Sequence, residues 1–220
     1  MQPAIQPRQG AKTVRIFLFI AGLIVGGGSG YFVGKLLKQG VIDASRFGWS
    51  DHLAAIISVS LLALGLIIGV ISFNRRAAAR AMSLEEGRTA TPAQASFYRQ
   101  QAVVVFLSGL MMAAPLALVA FEYPVSGPMA WITMTAVVAV FLVQTAYNLT
   151  LWRRADEMLR QVISETGAVC FWVLQGALFL WACAEKLGIA PALSAWDLMA
   201  LMMAFYLFVS GVITTRRGLS

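Results

Sequence analysis

Charge and hydropathy alternate along this chain in a way that leaves few folds open. Six long uncharged apolar stretches follow one another, and the basic residues gather in every second gap. Arg8, Lys12 and Arg15 precede the first stretch, and Arg75, Arg76, Arg80, Arg88 and Arg99 separate the second from the third. Arg153, Arg154 and Arg160 lie between the fourth and fifth, and Arg216 and Arg217 follow the sixth. Of the 17 Lys and Arg residues, only Lys35, Lys38, Arg46 and Lys186 fall in the other gaps. In short loops beside membrane spans, Lys and Arg concentrate on the cytoplasmic side. The partition predicts six spans with both termini cytoplasmic.

The expected spans cover residues 16–35, 53–74, 100–121, 129–151, 167–185 and 197–215. Each reaches the ~17–25 residues that cross the hydrocarbon of a bilayer. Pro124 and Pro128 delay the fourth helix until about Met129. Hydrophobic residues make up 59% of the chain and charged residues 12%, against about 25% charged in soluble domains. Lipid is therefore the expected solvent, and residues 1–220 read as a single integral membrane domain. The net charge of +7 follows from topology and attraction to anionic lipid, so no nucleic-acid partner is expected. The apolar run at 16–34 is longer than a signal-peptide core and lacks an A-x-A-like cleavage site, which makes it a retained span. Cys170 and Cys183 lie near opposite ends of one span, about 20 Å apart at helical rise, and cannot bridge. Trp49, Trp131, Trp152, Trp181 and Trp196 sit near span ends, as an interfacial belt does.

The expected fold class is all-α: a polytopic helical membrane protein of six transmembrane helices arranged as three hairpins. Each return span ends in a basic pair: Arg75-Arg76, Arg153-Arg154 or Arg216-Arg217. Thr91, Pro92 and Gln94 have the spacing of a capping box with Pro at the first helical position, so the third helix starts near Pro92. Ser50 and Asp51 are both good caps for the second. Residues 155–165 also read as helical, with Asp156 and Arg160 as an i,i+4 pair. They either lie on the membrane surface or extend the fifth span. The segment Arg153-Arg154-Ala155-Asp156-Glu157-Met158-Leu159-Arg160, followed by two spans and a terminal Arg pair, resembles a group of uncharacterised small bacterial membrane proteins. The resemblance covers residues 153–217 and implies a bacterial cytoplasmic membrane and two closing helices, but no activity.

Gly22, Gly26, Gly30 and Gly34 recur every four residues and share one face of the first span. Small-residue faces of this kind let helices approach closely in lipid. Gly65 and Gly69 repeat the spacing in the second span. Counted from the flanking arginines, they lie at the depth of Gly26 and Gly22, which predicts packing between these two helices. The run from Gly28 to Lys35 satisfies neither a P-loop nor a dinucleotide fingerprint, so no cofactor is expected. Gln144 and Asn148 share a face of the fourth span, and Gln175 lies in the fifth. Gln144 and Gln175 fall at similar depth, which predicts a hydrogen bond between neighbouring helices.

Every charged residue lies at an expected span end or in a loop, whereas proton or ion pathways generally require one within the hydrocarbon. His52 is the only histidine, set beside Asp51 at a span end, where a solvated or capping role outweighs a metal site. No catalytic or metal-binding residues are assigned. These readings point to a non-enzymatic membrane protein, an accessory subunit or scaffold of a membrane assembly. Its partners would be the lipid bilayer and another membrane protein or a copy of itself. The alternative is a small-solute transporter or channel using the fourth and fifth spans, with the amides lining a cavity.

Overall fold

The computed structural model of the protein describes residues 27–28, 30–31, 34–35, 38, 47–74, 79, 91–121 and 127–217. Five helices dominate: α1 (Trp49–Phe73), α2 (Pro92–Ala120), α3 (Pro128–Arg154), α4 (Glu157–Lys186) and α5 (Ala195–Arg216). All five are long and apolar enough to cross a membrane. They correspond to the second through sixth apolar stretches. Most of the first stretch, with Gly22 and Gly26, lies outside the described residues. Gly27, Gly28, Gly30, Tyr31, Gly34 and Lys35 within it are helical.

Local chemistry sets where these helices begin and end. The Asp51 carboxylate accepts from the Gly48 N–H at 2.8 Å, and His52 Nδ1 lies 2.8 Å from the Gly48 carbonyl. The cap of α1 is therefore Gly48, ahead of Ser50 and Asp51, and both polar side chains turn back onto the helix end. At α2 the expected box forms: Thr91 Oγ1 accepts from Gln94 N at 3.2 Å, and Gln94 Oε1 from Thr91 N at 2.9 Å. Ser194 and Asp197 exchange the same pair of bonds at α5, 3.1 and 2.9 Å.

The junction between α3 and α4 corrects one expectation. Asp156 and Arg160 do not pair with each other. Asp156 Oδ1 accepts from Leu159 N at 2.8 Å and caps α4. Arg160 reaches back to the end of α3, donating to the carbonyls of Trp152 at 3.1 Å and Arg153 at 3.0 Å. Orphan donors at one helix start and orphan acceptors at the previous helix end are each worth more to these side chains than an exposed ion pair. Residues 157–165 consequently extend the fifth span as the first part of α4. At its other end, Gly188 takes φ +72°. Its N–H bonds to the Glu185 carbonyl at 3.0 Å and that of Ile189 to the Ala184 carbonyl at 2.8 Å. This is the Schellman arrangement, which glycine adopts without penalty.

In space α1 packs chiefly against α2, α2 also against α3, α1 also against α5, and α5 against α4. The packing order is α3, α2, α1, α5, α4, with the two ends of that row tied by the short link at Ala155 and Asp156. Two of the expected hairpins, α2–α3 and α4–α5, do pack as pairs. Among the described helices, however, the most extensive contact joins α1 to α2, across hairpins. Ala54, Ile57, Leu61, Met112, Leu116 and Ala200 form the core where α1, α2 and α5 meet. Val162, Cys170, Val209 and Ile213 form a second cluster between α4 and α5. Glu165, in the third turn of α4, pairs with Arg217 at the C-terminal end of α5. α3 contributes no buried residue at all.

Candidate functional site

The closest approach among the described helices lies between α1 and α2. A Cβ placed on Gly65 would fall 2.8 Å from the N, Cα and Cβ of Phe106. One placed on Gly109 would fall 2.9 Å from Leu62 N and from the Ser58 carbonyl. Each helix thus offers one glycine to the backbone of the other. The buried Ser58 hydroxyl completes the seam by donating to the Gly109 carbonyl at 3.0 Å. Gly69 meets only the Ala102 methyl, at an ordinary 3.9 Å. Among the described residues the neighbour of Gly65 is therefore Phe106 of the following helix, while Gly22 and Gly26, to which the depth match assigned Gly69 and Gly65, lie outside the described residues. Depth along the bilayer is shared by every helix, so it cannot select which one lies alongside. A Cβ at Gly30 or Gly34 meets nothing within 4 Å among the described residues.

The three amides separate in the same way. Gln144 Nε2 donates to Ser108 Oγ across α2 and α3, and the Ser108 hydroxyl in turn donates to the Val104 carbonyl at 2.9 Å. The predicted Gln144–Gln175 bond does not form, because α3 and α4 do not pack along their lengths. Gln175 and Asn148 are both exposed on the surface of the bundle, and neither makes a hydrogen bond with a described residue. Asn148 is five residues from Arg153, near the basic end of α3. Gln175 is the middle residue of the uncharged run 166–184, about 14 Å from either end at helical rise.

Gln175 belongs to a continuous outward strip of α4. The face turned to α5 carries Val162, Thr166, Cys170 and Leu174, and Thr166 is 1% exposed with its hydroxyl returned to the Val162 carbonyl. The opposite face carries Ala168, Trp172, Gln175, Phe179 and Ala182. Trp172 is 73% exposed and Phe179 67%. The Trp172 indole N–H also makes no hydrogen bond with a described residue. Trp181, near the helix end, instead donates to the Pro191 carbonyl at 3.1 Å. The sequence reading passed over Trp172, although it is the one tryptophan away from the span ends, and that position was the available signal.

None of the three amides lines a cavity described here. One shallow hollow lies along α5 between Leu207 and Arg216. A groove of about 380 Å³ between α1, α4 and α5 is walled by Trp49, Leu174, Leu178, Trp181, Leu201 and Phe205, all apolar or aromatic. Chemically, neutral amides and an indole exchange hydrogen bonds and neither gain nor lose a proton at ordinary pH. Comparison with protein-family models, with curated proteins and with solved structures finds no match to this chain.

Proposed function

We propose that this chain is a non-enzymatic integral membrane protein serving as an accessory subunit or scaffold of a membrane assembly. In this reading it has six spans, with both termini cytoplasmic in a bacterial inner membrane. The charge partition and the resemblance of residues 153–217 to small bacterial membrane proteins support that placement. One observation carries the assembly role. The helices that end the packing row, α3 and α4, each leave a face exposed, and each holds an exposed amide, Asn148 or Gln175, with no hydrogen-bond partner among the described residues. In hydrocarbon no water satisfies such a group, and an unmet hydrogen-bonding group costs several kcal/mol. A partner in the bilayer supplies what the described residues do not.

Photo-crosslinkers placed on α3 and α4 in native membranes, followed by mass-spectrometric identification of the adducts, test this reading. Discrete protein adducts confined to these two helices are expected. Labelling of lipid alone, together with solute uptake into liposomes holding the purified chain, would replace it with the transport alternative.

A further inference from the structure

We propose that the outward strip of α4 at Trp172, Gln175 and Phe179 is a self-association surface, and that its occupant is the same strip of a second copy of this chain. The inference rests on the assembly reading above and names the partner at one of its faces. Three observations carry it. Gln175 sits at the middle of the uncharged run, where no aqueous interface is within reach of its side chain. Asn148, by contrast, is within a turn and a half of the basic end and can turn its amide toward it. Trp172, one turn from Gln175 on the same strip, exposes a second donor without a partner among the described residues, at a depth where tryptophan is not usually found. Ala168 and Ala182, at the two ends of the strip, keep its flanks low enough for another helix to approach.

The choice of a second copy follows from the chemistry of the amide and from insertion. A carboxamide is donor and acceptor at once, so two Gln175 side chains facing each other satisfy one another reciprocally. Copies of one chain insert with the same orientation, because the same charge partition governs both. A twofold axis along the membrane normal then sets Gln175 opposite Gln175 at equal depth without further design. Any unrelated partner would need its own polar group at that level. The Trp172 indole of each copy adds a donor to the free carbonyl lone pairs of the paired amides.

Oxidative crosslinking of the full-length chain in native membranes tests the proposal. Cys183, which is exposed on the same helix, is first replaced by Ser, while the buried Cys170 is kept. Phe179→Cys should give a disulfide-linked species of twice the chain mass. Val173→Cys, two residues from Gln175 and so on the other side of α4, should give little. Adding Gln175→Leu to Phe179→Cys should lower the yield roughly fivefold or more, and Gln175→Asn should retain most of it. Gln175 touches no described residue through a hydrogen bond, so these variants should accumulate like the parent. Equal yields from positions 179 and 173, or a yield unchanged by Gln175→Leu, would overturn the proposal. A position-179 adduct to a protein of different mass would overturn the second copy as occupant while leaving the assembly reading intact.

Discussion

Gly65 lies so close to Phe106 that the missing Cβ would stand 2.8 Å from three of its atoms, two of them backbone. Backbone yields less readily than a side chain, so the contact admits glycine alone. Gly65→Ala and Gly109→Ala should each overpack the α1–α2 seam, for which ~1–3 kcal/mol is the expected loss. Gly69→Ala meets only the Ala102 methyl at 3.9 Å and should be neutral or slightly stabilising, since Ala is the better helix former. Detergent-solubilised thermal or SDS unfolding of the three variants checks the order.

Ser108 and Gln144 should be energetically coupled. Their bond crosses α2 and α3 away from water, and interhelical bonds of this kind average about 0.6 kcal/mol in membranes. A double-mutant cycle with Ser108→Ala and Gln144→Leu should recover a coupling of that size. The corresponding cycle between Gln144 and Gln175 should recover none within one chain.

Gly188 closes α4 in a left-handed conformation, φ +72°. Gly188→Ala places a Cβ where L-residues are disfavoured by roughly 1–2 kcal/mol. The variant should unfold at lower denaturant, while Gly176→Ala, in open space on the same helix, should not.

The Glu165–Arg217 pair ties the third turn of α4 to the C-terminal end of α5, with side chains 43% and 30% exposed. Exposed pairs contribute about 0.2–1 kcal/mol and weaken in salt. Arg217→Ala should therefore cost little, and less still at high ionic strength. Exchanging the two residues should restore most of the loss.

Helix existence and helix ends were legible in the sequence because both are written locally. An uncharged run of span length marks α1 to α5, and Thr91 with Gln94 marks a helix start through contacts three residues apart. The lateral arrangement was not legible. Gln144 and Gln175 share a depth, and so do Gln144 and Ser108, yet only the packing order decides which pair meets. Gly109, isolated beside Ser108 in its stretch, carries no four-residue repeat, so the glycine that receives Leu62 drew no attention. Gln175 was recognised as an intramembrane amide, but its outward orientation depends on which face of α4 the residues Val162 to Leu174 commit to α5. Most of the first span, with Gly22 and Gly26, lies outside the described residues.

Native mass spectrometry of the chain extracted directly from its membrane in polymer-bounded discs tests the central claim most directly. The account predicts particles holding two copies, with or without a further protein, and a shift to single copies on Gln175→Leu. Wild-type discs holding one copy and no other protein would contradict it.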